Sequence, residues 1–380
     1  MDKKFVMSIA AMAALTLVSC SSDDLDSVSD NSSKNEAISF DGYLGRSAVA
    51  VNGSRGSVET VTNLQTDGFG VFGKYDAGDG NTSDLFDNQK VTYSTSTPPT
   101  ESKWTYSPLK FWPANGKIDF LAYAPYDKST KLTEGSKIKD FTVDEDIAKQ
   151  KDLLWTNDMN HQITGNITTA KEKVKFQFHH ALSRLGYTVT LSGDYSSSGA
   201  TFTVNKITLA GSSDGTSKKA FYKTGTIDLS KIVTKDNTQK NKEDLSKTNT
   251  GTGLWTAGTS DDNKQNFDLV SSAQTLDQTG FKSGDNYLFV IPQDFSGTDE
   301  LYVYVEYTIN YGGTTGSVTN KVYKQIKKHF LQGNAYMLNL TLGLPIEFDV
   351  DVTSVGAGVD GWGTDEGINI GSTDTPWDRK

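Results

Sequence analysis

Short segments in which apolar and polar side chains alternate recur along almost the whole chain, and no stretch has the spacing of a long amphipathic helix. Examples are 68–75, 117–126, 202–209, 301–310 and 334–342. Because successive side chains of a strand point to opposite faces, this alternation predicts strands with one face in a core and one face in water. Many short strands separated by turn residues are typical of β-sandwiches. At 380 residues, the all-β chain is long enough for two sandwiches in tandem.

The predicted order along the chain is a leader, a tether, two β-sandwich domains and a tail. The ranges are 1–19 for a signal peptide, 20–37 for a flexible tether, 38–181 for the N-terminal sandwich, 182–344 for the C-terminal sandwich and 345–380 for the tail. The tether is assigned from its Ser, Asp and Asn content and its lack of apolar periodicity. The domain junction near 181 is placed between two predicted strands.

Composition excludes two classes of function. The net charge of -10 and the pI near 5.0 leave no basic face that could neutralise several phosphates, so nucleic acid is not an expected partner. The chain has one cysteine, Cys20, which excludes an intramolecular disulfide and a site with several cysteine ligands. The two cores must therefore hold the protein together.

The leader gives Cys20 a specific chemical role. Lys3 and Lys4 precede an apolar run, 5–18, which has the length of a secretory signal and is too short to span a bilayer. It ends in Leu17-Val18-Ser19-Cys20, which resembles a bacterial lipobox. This predicts cleavage before Cys20, lipidation of its sulfur and anchoring of a lipoprotein precursor in the outer membrane, because several acyl chains on one residue give stable anchoring. The alternative is an ordinary signal that happens to end in Cys.

Residues that could carry catalysis or bind a metal do not form a convincing set. Adjacent His179 and His180 would point apart, whether in a strand or in the one helical turn predicted near 179–185, so they cannot chelate one ion. The remaining candidates are two isolated histidines (His161 and His329), a loop at 76–87 that loosely resembles a calcium site (Asp76, Asp79, Asn81 and Asp84) and an acidic run (Asp144, Glu145 and Asp146). The calcium spacing departs from the EF-hand pattern, and packed or solvated roles are favoured. We expect no enzyme activity, no metal and no cofactor.

Tryptophan side chains suggest one alternative function. The six are Trp104, Trp112, Trp155, Trp255, Trp362 and Trp377. Exposed in one plane, they would form a platform on which sugars stack, and the protein would be a monomeric surface glycan-binding lipoprotein. Most lie in strongly alternating segments, where a core role is more common. A glycoside hydrolase would need two carboxyl groups facing each other at a set distance, which a sequence does not give.

The first and last predicted strands of the folded region match each other. Ile38, Phe40 and Leu44 share one face of the first strand, 38–46, and Ile346, Phe348, Val350 and Val352 share one face of the last. Arg46 is the last residue of this segment, and a trypsin-like protease could cut after it. One hypothesis is that the first strand is removable and that the last strand replaces it in a neighbouring copy. The alternative is that 346–352 is the final strand of its own domain, and the tail beyond it, with Ile368 and Ile370, could add a second donor segment.

Several blocks of sequence together resemble one protein family. They are 68–72 (GFGVF), 104–126, 152–155 (DLLW), 178–182 (FHHAL), 290–293 (VIPQ) and 333–336 (GNAY) running into 340–342 (LTL). In their order and spacing they are similar to the fimbrillin (Mfa-like) family, the type V pilins of Bacteroidota. The similarity covers most of the chain beyond Ile38.

The resemblance implies a fold and a route of export, processing and assembly. It implies two transthyretin-like β-sandwich domains, export as a lipoprotein modified at Cys20, and removal of the lipid and first strand by an arginine-specific protease. Arg46 is the first choice for that cut and Arg55 the second, although neither stands in the Thr-Arg-Ala context common in the family. It also implies assembly by strand exchange with other copies and related pilus subunits, in a cell-surface fimbrium that adheres to host or bacterial surface ligands. A stalk subunit is favoured over a tip subunit, because the tail offers a donor strand.

Overall fold

The computed structural model describes residues 37–44, 59–95, 102–163, 173–231, 254–258, 260–284, 287–312, 316–344 and 347–354. The regular structure in these residues is almost entirely β, which confirms the all-β prediction. The single α-helix among them, α1 (Val61–Asp67), begins after the N-cap Thr60 and ends at Gly68. In the same described residues, single-turn 3-10 helices span Ile147–Lys149, Ser196–Ser198 and Asp261–Asn263. No helix in the described part of the chain is long and apolar enough to cross a membrane.

The strands fall into two groups along the chain. Those of the first half are β1 (Phe40–Leu44), β2 (Phe69–Asp76), β3 (Thr82–Thr95), β4 (Ser102–Thr105), β5 (Lys117–Ala124), β6 (Leu132–Thr133), β7 (Lys137–Thr142), β8 (Leu154–Gln162) and β9 (Val174–His180). Those of the second half are β10 (Ser183–Leu191), β11 (Thr201–Ala210), β12 (Phe221–Tyr222), β13 (Thr224–Asp228), β14 (Trp255–Ala257), β15 (Lys264–Gln265), β16 (Phe267–Val270), β17 (Gln274–Leu276), β18 (Phe281–Lys282), β19 (Leu288–Val290), β20 (Gln293–Asp294), β21 (Tyr302–Asn310), β22 (Ser317–Gln325), β23 (His329–Phe330), β24 (Ala335–Gly343) and β25 (Glu347–Ser354).

The first half forms a sheet that curls until its two ends meet. The strand order is β1-β9-β8-β5-β2-β3-β4. The end strands β1 and β4 touch, because the indole N–H of Trp104 in β4 donates to the carbonyl of Gly42 in β1 at 3.2 Å. A core rich in Phe and Trp fills the space inside the curl. β1 is thus the strand that closes the seam of this domain.

The second half is a two-sheet sandwich. One sheet has the order β18-β10-β24-β25, with β19 also paired to β10, and the other has the order β16-β11-β21-β22, with β17 also paired to β11. Alternating side chains from both sheets, such as Leu338 and Val350 from the first and Val204 and Val305 from the second, join one hydrophobic core. This alternation is the pattern that predicted the strands, and it places β25 over the core of its own chain.

A further sheet joins the two halves. Its order is β14-β13-β7-β6, so that two strands from the first half pair with two from the second. Ile138 of β7 lies opposite Ile227 of β13, and both belong to the core of the second half. Phe72 and Leu121, on the outer face of the curled sheet, belong to the same core. The predicted division at 181 coincides with the passage from β9 to β10, but the hydrophobic contacts cross it, and the division stays a prediction.

Two local predictions are wrong. Residues 179–185 do not form a helical turn, because β9 continues through His180, which lies opposite Leu154, and β10 begins at Ser183. The loop predicted over 76–87 ends early, because β3 begins at Thr82 and pairs there with Asp76. In both places backbone pairing with a distant strand overrides the local preference for a turn.

Candidate subunit interface at the first strand

The first strand lies in the seam with its apolar residues inside. β1 runs parallel to β9, with Phe40 opposite Val174 and Leu44 opposite Phe178. The side chains of Ile38 and Phe40 are buried, as their alternation predicts. A parallel strand so far along the chain from its partner cannot be joined to it by a hairpin, so β1 is held here by its side chains and its backbone bonds alone.

Aromatic rings surround Phe40. Its ring centroid lies 5.3 Å from that of Phe86, 5.4 Å from Tyr106, 5.6 Å from Phe176 and 5.9 Å from Phe120. The contacts with Phe86 and Phe120 are edge-to-face, a geometry that favours aromatic pairs beyond the area they bury. Phe40 is therefore the main anchor of β1 among the described side chains.

Gly42 occupies the next inward position, where there is no room for a side chain. A Cβ atom at Gly42 would lie 2.9 Å from Cε1 of Phe69 and 3.4 Å from Cε2 of Phe178. The seam thus accepts two large side chains followed by a small one. The sequence pattern predicted Ile38, Phe40 and Leu44 as the apolar row and did not reveal this requirement. Glycine has no side chain, so it adds nothing to the alternation of apolar and polar residues from which the row was predicted.

The other flank of β1 is held by a loop and by side chains rather than by a ladder. The Ile38 amide donates to the Lys110 carbonyl at 2.8 Å, and the Tyr106 hydroxyl donates to the Ile38 carbonyl at 2.7 Å. With the bond from Trp104, these contacts satisfy backbone groups that an edge strand would otherwise leave to water. One flank of β1 is therefore a parallel ladder, and the other is a set of three individual bonds.

A buried polar cluster holds the chain where it returns to the fold before α1. The backbone N–H of Glu59 donates to Oδ2 of Asp152 at 2.9 Å, and Nδ1 of His180 lies 2.8 Å from the same oxygen. All three residues are buried. Burial, and then the negative charges of Asp152 and Asp67, raise the pKa of the Glu59 side chain to about 9. Glu59 is therefore protonated at neutral pH.

The last described strand, β25, is held by its own chain. It pairs antiparallel with β24 along its whole length, from Glu347 opposite Gly343 to Ser354 opposite Tyr336. Phe348, Val350 and Val352 are buried in the second core. On the opposite face, Nζ of Lys324 in β22 binds Oδ1 of Asp349 at 2.6 Å and so ties β25 to the facing sheet.

The sequence-predicted site residues divide into those that the structure places and those outside its described range. Cys20, Arg46, Arg55 and Ile346 lie outside the described residues. Leu44 is described as the last backbone position of β1, opposite Phe178. Ile38 and Phe40 lie together in the seam, whereas the apolar row of β25 lies over the other core, so the structure does not bring the two sets together within one chain.

The histidines pack against neighbouring side chains. His180 is buried against Asp152, and the ring of His179, on the other side of β9, lies 6.3 Å from that of Trp155. Nδ1 of His161 lies 2.7 Å from Oδ2 of Asp158, and its ring stacks on Trp112. The two adjacent histidines diverge as expected. Among the described residues, no group of three or more histidine, cysteine or acidic side chains is arranged to hold a metal ion.

The remaining candidates have local structural roles. Asp76 and Asp79 accept hydrogen bonds from the backbone N–H groups of Gly78 and Asn81 within one turn. Asp146 caps a 3-10 helix. Trp104, Trp112 and Trp155 are buried, and the indole of Trp255 donates to the Ala181 carbonyl at 2.6 Å. The four described tryptophans therefore form no exposed platform for sugars.

Comparison with known proteins agrees with this architecture. A family model described as fimbrillin-like matches residues 57–362. A curated relative, fimbrium subunit Fim1C of Phocaeicola vulgatus, is 24% identical over 397 residues, which cover 95% of this chain and 97% of the relative. The crystal structure of a fimbrial protein from Bacteroides vulgatus superposes with a TM-score of 0.58 at 19% identity, covering 85% of this chain and 99% of the other. This structural likeness concerns the fold.

Proposed function

The chain belongs to the fimbrillin-like family, and we propose that it is a stalk subunit of a cell-surface fimbrium, exported as a lipoprotein and polymerised by strand exchange. Fimbrial subunits associate with other pilus subunits, so the partners are further copies of this chain and related subunits. The observation that carries the proposal is the position of β1. It closes the seam of the first domain, buries Ile38 and Phe40, and among the described strands forms a ladder with β9 alone.

The export step uses Cys20. The lipobox at 17–20 supports lipidation at this cysteine and transport of the precursor to the outer membrane before processing. The mature subunit then leaves the lipid behind together with the segment that carries it. The fimbrium, at the cell surface, is the final location, where it contacts ligands on host or bacterial surfaces.

Processing separates β1 from the rest of the chain. Arg46, or alternatively Arg55, lies between the end of β1 and Glu59. On the far side of that interval, the bond from Glu59 to the buried Asp152 and the helix α1 hold the chain in place. A cut at either arginine therefore leaves β1 attached only by non-covalent contacts, while the strand that follows, β2, stays anchored in the sheet.

Release of β1 leaves a vacancy that needs a new strand. Withdrawal exposes the pocket of aromatic rings around Phe40 and removes two buried side chains, each stabilising the domain by roughly 1.5–3 kcal/mol. It also leaves backbone groups of β9 and the indole N–H of Trp104 without their partners, and it removes one of the partners of the Tyr106 hydroxyl. An added strand restores both kinds of contact, since its main chain pairs with the open edge and its alternate side chains fill the pockets.

Two segments of the chain are candidate donors. The row Ile346, Phe348, Val350 and Val352 has the right alternation, but β25 must first leave β24 and the second core. The tail beyond it, with Ile368 and Ile370, is the second candidate and would leave β25 in place. Because donor and acceptor lie at different ends of the chain, either exchange is head-to-tail and propagates into a filament.

The experiment combines proteolysis with two truncations. The chain without residues 1–20 is treated with an arginine-specific protease, and polymers are detected as ladders that resist SDS. We expect ladders from the intact chain. The truncation lacking 355–380 retains β25, and the truncation lacking 345–380 does not. Ladders from the first alone, with the second truncation still folded, assign the donor to 346–352. Loss of ladders in the first, with β25 still folded, assigns it to the tail.

Two experimental outcomes would contradict the proposal. A cut chain that stays monomeric with β1 still bound contradicts strand exchange and favours a monomeric surface protein. Ladders of normal length from the chain lacking 345–380 exclude both donor segments. Substitution of Arg46 and Arg55 by Lys, separately, identifies the processing site, because an arginine-specific protease spares lysine.

A further inference from the structure

Two exposed apolar side chains lie at one end of the seam. In the described part of the chain, the large apolar side chains with high exposure are Leu109 at 56%, Val318 at 49% and Phe111 at 48%. Scattered single residues of this kind are normal on a protein surface. Leu109 and Phe111 are different, because they stand two positions apart in the same loop. This loop, residues 106–112, is called the collar below.

The collar is attached to the start of β1. Phe111 forms an isolated antiparallel bridge with Ala37, and the Lys110 carbonyl and the Tyr106 hydroxyl bind the backbone of Ile38. Trp112 roots the collar in the first core, where its ring lies 6.1 Å from that of Phe120. The collar is therefore a fixed part of the acceptor domain that points apolar side chains outward at the point where β1 enters the seam.

We propose that the collar is the docking surface for the body of a second copy of this chain, the copy whose strand replaces β1. This inference rests on the strand exchange proposed above. The bonds from Ile38 to the Lys110 carbonyl and from the Tyr106 hydroxyl favour a donor strand that runs in the same direction as β1, parallel to β9. Because a C-terminal donor segment follows its own domain, that direction brings the second copy's folded body next to Leu109 and Phe111. The reverse direction would leave its body beyond Leu44 and the collar uncovered.

Hydrogen bonding fits this partner. A strand in the direction of β1 presents an N–H to the Lys110 carbonyl and a carbonyl to the Tyr106 hydroxyl in the order in which Ile38 presents them. A membrane surface is the poorer occupant, because segments that bind anionic membrane surfaces carry clusters of basic residues, whereas Lys110 is the one charged residue of the collar.

The test compares a double variant with a matched control in the chain lacking residues 1–20. Leu109→Ser with Phe111→Ser removes the apolar surface of the collar, and Val318→Ser removes an equally exposed side chain from β22. After treatment with an arginine-specific protease, polymer length is measured by electron microscopy and polymer dissociation by dilution. Binding of a synthetic peptide of residues 345–380 to the cut subunit is measured by fluorescence anisotropy.

We expect the double variant to bind the free peptide within about twofold of wild type, while its polymers dissociate at least about tenfold faster. Val318→Ser should match wild type in both assays. If the double variant formed polymers of wild-type length and lifetime, the docking role of the collar would be wrong, and strand exchange would still stand. Failure of the wild-type subunit to polymerise or to bind the peptide would remove the proposed function and the collar together.

A vesicle assay tests the other occupant. The uncut chain lacking residues 1–20 is mixed with vesicles of phosphatidylethanolamine and phosphatidylglycerol, and the vesicles are sedimented. We expect no binding that depends on the collar. Binding that is lost in the double variant, together with normal polymers, would assign the collar to the membrane and overturn the proposal.

Discussion

At Gly42, the absence of a side chain decides how β1 fits its seam. The rings of Phe69 and Phe178 fill the space that a Cβ atom would need, whereas the two preceding inward positions hold large side chains. Any strand that replaces β1 meets the same three sites. For the 346–352 row, setting Ile346 and Phe348 in the first two sites would put Val350 against Phe69, so this register requires the ring to move.

The first prediction concerns that position. Gly42→Ala should lower the free energy of unfolding of the first domain by about 1–3 kcal/mol, because the added methyl group overpacks a filled core. Urea unfolding gives the stability, and hydrogen exchange of the β9 amides reports whether β1 is loosened. Gly297→Ala is the control, since a Cβ atom there meets nothing within 4 Å. Unchanged exchange in β9 would show that the seam has spare room.

The second prediction concerns pH. The pKa of Glu59 rises from an ordinary 4.5 to about 9 on folding, so the folded chain binds a proton that the unfolded chain releases. Its contribution to stability is present below pH 4.5 and is lost as the pH rises toward 9, at about 1.4 kcal/mol per pH unit. Glu59→Gln cannot ionise at this position and lacks this loss. From pH 5 to pH 8, its free energy of unfolding should therefore rise by on the order of 3 to 4 kcal/mol relative to that of wild type.

Urea unfolding of both proteins at pH 5, 6.5 and 8 checks this difference. Glu145→Gln, an exposed carboxyl on a loop, is the control and should follow wild type at every pH. Parallel pH profiles for Glu59→Gln and wild type would mean that Glu59 is ionised in the folded protein.

At the scale of elements, β1 and β25 differ in how they are held. Both bury apolar side chains, but β1 pairs over five residues with one parallel neighbour, whereas β25 pairs over eight residues with an antiparallel one. Antiparallel pairing is the more stable per residue. β1 is accordingly the easier of the two to withdraw. In the proposed exchange this suits the strand that is displaced, and β25 would be a more costly donor than the tail.

The third prediction concerns a disulfide that would hold β1 against β9. Asp41 lies opposite Lys175 on the outer side of the β1–β9 pair, and neighbouring strands bring such positions within reach of a disulfide. The variant Asp41→Cys with Lys175→Cys, oxidised, should stay monomeric after cleavage because the cut strand cannot leave. Reduction should restore polymers, which are measured as SDS-resistant ladders.

The control places a disulfide far from the seam. Glu306 and Lys321 lie opposite each other in β21 and β22, and Glu306→Cys with Lys321→Cys should polymerise in both redox states. Polymers from the oxidised β1–β9 variant would mean that β1 never needs to leave.

At the scale of the whole molecule, the β14-β13-β7-β6 sheet joins the two halves. Its inner side chains, with Phe72 and Leu121 from the first half, share the core of the second half. In the filament proposed above, the load between the seam in one half and the donor segment in the other is carried by this sheet, by the shared core and by the direct connection from β9 to β10.

The fourth prediction tests that connection. Ile227→Ala removes a buried side chain at the centre of the joining sheet. It should lower the free energy of unfolding by about 2–5 kcal/mol. In wild type, hydrogen exchange should report loss of protection in β5 and β21 at the same urea concentration. In the variant the two transitions should separate. Ile118→Ala, buried in the first core alone, is the control and should lower protection in β5 first. A single unshifted transition in Ile227→Ala would mean that the halves are joined elsewhere.

Local alternation predicted most of the strands because it is a property of neighbouring residues. Segments 202–209, 301–310 and 334–342 correspond to β11, β21 and β24, and Ile38 and Phe40 face inward as their spacing indicates. The helical turn at 179–185 and the loop over 76–87 failed because long-range pairing extended β9 and β3. The buried cluster of Glu59, Asp152 and His180 was missed because its members are brought together only by the fold.

The amino-acid sequence by itself determined that this chain forms short strands with set inner faces, because side chains in a strand alternate with a period of two. The tertiary structure alone decided which strands meet and in what direction. It put β1 parallel to β9, left no room beside Gly42, and gave β6 and β7 to a sheet shared with the second half. Each of these depends on contacts between distant segments, and period-two patterns are alike in all strands, so they cannot specify partners.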